Sequence, residues 1–190
     1  MLKFLEVSIF MILILSVIFI VLPQLSMQTQ TDNATTDNYL ALSNMQIQIP
    51  DFENGEAIPE VHTCMGLETP PLIAIKQIPE GTQSLAFIMD DPDAPVGRWI
   101  HWLFWNLPAD TAIIDHANLP ETVTVGVNTS GKNEYQGPCP PFGTHRYFFK
   151  VFALDTILSL DAPSNAAELE VAMKDHIIAA AQYYGTFTRE

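Results

Sequence analysis

Cations are scarce in this chain. Lys and Arg number 8 against 22 Asp and Glu, a formal charge of -14. That balance argues against a nucleic-acid partner, because a phosphate backbone is held by clustered cations; it describes a soluble, self-repelling surface instead. Cysteine is nearly absent: Cys64 and Cys139 are the only two. With no C-x-x-C they cannot build a zinc site. Also missing are a G-x-S-x-G elbow, an H-E-x-x-H pair and a P-loop, and Ser84 and Ser130 have no evident base beside them. No catalytic residue, no cofactor and no resident metal is therefore expected. Asp91, His101 and His145 are a donor set that a metal accepts, but nothing in their spacing demands one.

What is present divides the chain into three stretches. Residues 7–22, VSIFMILILSVIFIVL, carry no charge, and Glu6 sits at their edge. Counted from Phe4 to Leu22 the run reaches the ~17–25 residues of a membrane-spanning helix, and no clear small-x-small cleavage site follows it. Residues 1–22 are thus expected to be a transmembrane signal-anchor, with a cleaved signal peptide as the alternative. Lys3 on the short side predicts N-terminus in and domain out, which makes the domain membrane-anchored and extracytoplasmic, or secreted after cleavage. Residues 23–43 are polar and read as a flexible linker. Residues 44–190 form the folded domain. In an exported chain Cys64 and Cys139 can oxidise to a disulfide, worth on the order of 4 kcal/mol if unstrained; the alternative is two separate buried thiols. Two sequons, at Asn33 and Asn128, are acceptors for glycosylation where the machinery exists.

Hydrophobic residues make up 48% of the chain, enough for a packed core, and 14 prolines against 9 glycines favour short strands and turns over long helices. Strand patterns fall at 45–50, 70–75, 84–90, 99–108, 122–128 and 146–155. At this spacing they predict a mainly β domain of two antiparallel sheets. One helix is predicted over 166–182, with Asn165 as its N-cap and Glu168 as the reciprocal partner.

Strand alternation puts His101, Leu103 and Trp105 on one face and Ile100, Trp102 and Phe104 on the other. It likewise groups His145, Tyr147 and Phe149 against Arg146, Phe148 and Lys150. Both histidines enter their strands just past Pro-rich loops, a common place for a site on a rigid scaffold. Each also has a plainer reading. A lone histidine in an apolar strand is more often a hydrogen-bonded core residue, and DPDAP at 91–95 is good turn chemistry.

DDPDAPVGRWIHWLFWNLP and GPCPPFGTHRYFFKVFALD together resemble the paired signatures of the phosphatidylethanolamine-binding protein family, in its bacterial and archaeal Raf-kinase-inhibitor-like branch. HTCMG followed by PPL, VNTSGKNEYQGPCPP and HIIAAAQYYGTFTR support the match, which spans roughly residues 45–190. The resemblance implies two antiparallel sheets packed face to face, with a C-terminal helix near a pocket. It further implies a small anion-binding cavity lined by Asp91, His101, Pro141, His145 and Tyr147, taking phosphate-like groups such as a phospholipid headgroup. Two imidazoles and a phenol are then expected to donate to phosphate oxygens, with Asp91 pairing to a histidine or facing a ligand ammonium. Trp102 or Trp105 is expected as apolar flooring, and affinity is expected to weaken above about pH 7.5 as the histidines lose their protons. The chain departs from the family pattern over 62–70. His62 stands where a tyrosine is usual, the loop is shorter, and Glu68 is expected to add negative charge at the pocket mouth.

Three functions follow, in order of preference. The first is a non-enzymatic binding domain for a phosphate-bearing small molecule or lipid headgroup. The second is a protein-interaction or inhibitor module acting on an extracytoplasmic protease or other surface protein. The third is a weak hydrolase using His101 or His145 as base, for which no activated nucleophile is evident.

Overall fold

The computed structural model describes residues 44–189. The anchor, the linker and the Asn33 sequon all fall outside the described residues. Among the described residues no helix is long and apolar enough to cross a membrane. The membrane-anchored, extracytoplasmic placement expected from residues 1–22 is therefore corrected: it is not supported.

Among the described residues eight strands make two antiparallel sheets. The smaller has the order β1 (Gln46–Gln48), β2 (Ile73–Lys76), β5 (Ile113–Ile114). The larger has the order β6 (Thr124–Val125), β4 (Trp99–Pro108), β3 (Ser84–Asp91), β7 (Thr144–Leu154), β8 (Ile177–Thr188). The long strands form where Val, Ile, Phe and Trp cluster between turn residues, as β-branched and aromatic side chains fit a pleated surface. Ile47, Ile73, Ile75 and Ile114 of the small sheet join Phe87, Met89, Trp102, Phe104, Phe149 and Val151 of the large one in a single core. Phe87 stacks on Phe104 at 4.9 Å and meets Trp102 edge-on at 5.4 Å. The other face of the large sheet is buried too, at Ile88, Leu103, Trp105 and Phe152. There Trp105 donates to the Leu160 carbonyl, and the Asn106 amide makes paired bonds with the Leu158 backbone. Burial on both faces is why β3 reads as a continuous apolar run rather than an alternating one.

The helix near the C-terminus, α1 (Ala166–Met173), has the predicted capping box. Asn165 accepts from the amides of Ala167 and Glu168, while Glu168 accepts from the Asn165 amide at 2.8 Å. It stops at Met173, far short of residue 182. Residues 177–188 are instead β8, paired along nearly the whole of β7. The Ala179–Ala181 run carries helical propensity, but an antiparallel partner of 11 residues outweighs that weak local preference. Gly185 lies inside β8, and only glycine fits there, because a Cβ would stand 2.5 Å from Ile58 and 2.6 Å from Phe52.

Cys64 and Cys139 are joined, with Cα atoms 5.4 Å apart and a sequence separation of 75. The alternative of two separate thiols falls away. Asn128, of the second sequon, is 4% exposed. Its amide nitrogen donates to the Glu134 carbonyl and its oxygen accepts from the backbone of Ser130 and Lys132 and from the Ser130 hydroxyl.

Candidate functional site

The end of the large sheet where β3 finishes and β7 begins opens into a cavity of about 230 Å³. Its walls include all five predicted residues, Asp91, His101, Pro141, His145 and Tyr147. Asp91 closes β3, and its neighbour Asp90 points to the opposite face, where it pairs with Arg98 and with Lys150 (2.8 Å). Adjacent aspartates on one strand thus do different work, as alternation requires.

His145 and Tyr147 lie two apart on β7 and share the cavity face, as predicted. His145 Nδ1 sits 2.7 Å from Asp91 Oδ2, and both side chains are 5% exposed. The second carboxylate oxygen of Asp91 accepts from the Asp93 amide at 2.8 Å, so the DPDAP turn and the site use the same side chain. Asp93 in turn clamps Arg146 through the backbone amide and two guanidinium nitrogens. Those bonds hold the Asp93 carboxyl down at about 2.

His101 reaches the cavity by a different route from the one predicted. Met89 pairs with Trp102 and Asp90 with Ile100, leaving His101 as an extra residue in β4. This β-bulge turns the imidazole onto the face that carries Trp102 and away from Leu103, where simple alternation had placed it. Out of the β3 ladder, His101 pairs with the 126–136 segment running along the outer edge of β4. Its carbonyl accepts from the Gln136 amide at 3.1 Å, and its Nδ1 lies 2.8 Å from the Gln136 carbonyl. Its ring meets Tyr147 edge-on at 5.2 Å.

These contacts fix the tautomers. A carbonyl or carboxylate oxygen only accepts, so the proton of each neutral ring sits on Nδ1 and Nε2 carries the lone pair. Burial, the largest cause, pushes the His101 imidazole below its ordinary range. Burial, reinforced by the charges of Asp91 and Asp93, pushes the Tyr147 phenol well above its own. At neutral pH the cavity therefore shows an imidazole acceptor at His101 and a phenolic donor at Tyr147. The expectation that both imidazoles donate is revised on this point.

Other cavity residues were missed. Gln136 was quoted within a matching stretch but given no role; its side-chain oxygen also accepts from Trp99 Nε1 at 3.1 Å. Trp99 is the tryptophan in the cavity wall; Trp102 belongs to the inter-sheet core and Trp105 is fully buried on the far face. No residue of 62–70 lines the cavity. That loop is tied behind the wall by the disulfide and by Cys64 N–H donating to the Pro138 carbonyl at 3.1 Å. His62 bonds the Thr69 carbonyl (2.7 Å), and its own carbonyl accepts the Tyr135 hydroxyl (2.7 Å). Glu68 is exposed and outside the cavity. The helix borders a separate concavity with Arg98, Thr129 and Asn165. Among the described residues no group of three or more His, Cys, Asp or Glu is placed to hold a metal.

Known proteins agree with this architecture. The profile of the phosphatidylethanolamine-binding protein family matches residues 48–188. A UPF0098 protein of Aquifex aeolicus is 42% identical over 154 residues, covering 77% of this chain and 90% of its own length. A UPF0098 protein of Chlamydia pneumoniae is 42% identical over 151 residues, covering 76% and 99%. Among solved structures, the phosphatidylethanolamine-binding protein homologue CT736 of Chlamydia trachomatis has a TM-score of 0.73 at 34% identity, covering 77% of this chain and 98% of its own. YbcL of E. coli, described as a member of the mammalian family, has a TM-score of 0.72 at 30% identity, covering 78% and 100%. None of these names carries an enzymatic activity. With its signatures, its sheets and its relatives in agreement, this chain belongs to the phosphatidylethanolamine-binding protein family.

Proposed function

We propose that the domain binds, without catalysis, a small phosphate-bearing ligand such as a phospholipid headgroup or a free phosphomonoester in the cavity between β3, β4 and β7. The observation that supports this most is the convergence of Asp91, His101, His145 and Tyr147 on one small cavity although they come from three strands. Pro140 and Pro141 stiffen the rim, so little ordering entropy is lost on binding. Among the described residues no serine or free cysteine lines the cavity, since Cys139 is held in the disulfide.

The test is an NMR titration of the full chain with phosphate and phosphoethanolamine, following the imidazole signals of His101 and His145 beside a His145→Ala variant. Saturable shifts that vanish in the variant support the reading. The absence of any shift at ~10 mM ligand, an affinity weaker than any useful pocket supplies, rejects it.

A protein partner is the second reading. Val61, Met65 and Leu67 are exposed on the disulfide-tied loop, and Phe142 and Val96 are exposed at the cavity rim. If a partner docks there, Leu67→Ser should abolish its binding and leave phosphate titration unchanged.

A further inference from the structure

The cavity is rich in acceptors and poor in charge of the sign an anion needs. Among the described residues no lysine or arginine lines it. Arg146 is close enough to feel Asp91, but its guanidinium is committed to Asp93. Both imidazole Nδ1 atoms are engaged. Neither Nε2 atom of these two rings has a protein partner among the described residues, and neither is among the side-chain atoms sealed from solvent without a hydrogen bond. The groups facing His101 are Asp91 on β3, His145 and Tyr147 on β7, and the Gln136 carbonyl behind it, with Asp90 across β3. An unprotonated oxyanion entering here meets the Tyr147 hydroxyl as donor, but also a lone pair on His101 and the carboxylate of Asp91.

Resting on the reading of the cavity as an anion site, we propose that the ligand binds in its acid form. A phosphomonoester enters as the monoanion, and its P–OH donates to His101 Nε2. His101 then selects phosphate esters over sulfate esters of the same shape and charge. A phosphomonoester has its second ionisation near pH ~6, so a proton is cheaply regained at neutral pH. A sulfate ester is a permanent monoanion with no hydroxyl, and it would leave Nε2 facing an oxygen lone pair. A site built to bond a hydroxyl rejects the analogue that lacks it, because the site's own polar group is left unpaired. Burial of His101 acts in the same direction, since it disfavours placing the proton on the ring instead.

The experiment is isothermal titration of the full chain with phosphoethanolamine and with its sulfate analogue, 2-aminoethyl hydrogen sulfate. Each is run at pH 7.5 in two buffers of different ionisation enthalpy. Phosphoethanolamine is expected to take up about one proton per ligand bound and to bind at least ~10-fold more tightly than the sulfate. In His101→Gln, whose amide can donate as well as accept, that preference is expected to shrink to about 2-fold or less. Equal affinities with heats independent of buffer would overturn the acid-form inference while leaving the anion site standing. No heat from either ligand at any pH removes the anion reading and the inference with it. A preference that persists unchanged in His101→Gln overturns the role given to His101.

Discussion

His101 and Gln136 hold each other reciprocally: the Gln136 amide donates to the His101 carbonyl at 3.1 Å, and His101 Nδ1 donates back to the Gln136 carbonyl at 2.8 Å. The pair converts a bulge, which would leave β4 short of partners, into a fixed imidazole orientation. The Gln136 side chain extends the link by accepting from Trp99 Nε1. Gln136→Ala is therefore expected to cost about 1 kcal/mol of stability and to free Trp99. Urea titration measures the first. A change in tryptophan emission that no longer responds to ligand measures the second.

Asp91 and His145 are both nearly sealed from water, so removing one strands the other. Asp91→Ala is expected to destabilise the fold by about 1–3 kcal/mol, the cost of leaving a buried donor unsatisfied, with further loss from the broken turn at Asp93. His145→Ala removes the ring as well and leaves the carboxylate unpaired. A double-mutant cycle by chemical denaturation should give clear coupling between the two sites; additive effects would show that the pair contributes nothing jointly.

The His101 imidazole is held below its ordinary range by burial, and this fixes a sign. The unfolded chain binds the proton more readily than the folded one. The His101 contribution to stability is therefore fully present above the unfolded value of about 6.5. It is lost as pH falls below that value, until the folded ring titrates. Melting temperature should decline from pH 7 to pH 5, and His101→Gln should flatten that decline. A wild-type profile that rises toward pH 5 contradicts the assignment.

Asp93 works at the other end of the scale. Its carboxyl is lowered from 3.8 to about 2, first by the Arg146 side-chain bonds. The stability it contributes is present above 3.8 and lost as pH falls through about 2. Asp93→Asn should lower stability at neutral pH and leave the variant less sensitive to acid over that window, measured by denaturant midpoints from pH 5 to pH 2.

The sequence was readable where side chains have one period and one partner. The expected strands at 84–90 and 99–108 match β3 and β4 closely because apolar runs bounded by Asp, Pro and Gly have few other uses. The five expected residues reached the cavity by motif resemblance, and alternation alone would have turned His101 away from the site. The bulge was not legible, since nothing in WIHW marks which residue is extra. β8 was missed because its stability lies in pairing with β7, a contact that no local window contains. Gln136 was missed because its role is largely carried by its backbone, to which residue type gives no clue.

The disulfide gives a last prediction, since Cys139 lines the cavity and Cys64 lies in the loop behind it. Opening the bond releases a loop with 75 residues of separation, which costs roughly 4 kcal/mol in the chain-entropy model. It also loosens the segment from Gln136 to Pro141 that supplies one wall. Alkylation without reductant should add no mass, and with reductant it should add two labels. The Cys64→Ser, Cys139→Ser variant should unfold at lower denaturant and bind phosphoethanolamine more weakly. Because Cys64 N–H also donates to the Pro138 carbonyl, part of the wall should persist, so weakened rather than abolished binding is the expected result. Unchanged affinity together with lowered stability would show that the bond serves the fold alone.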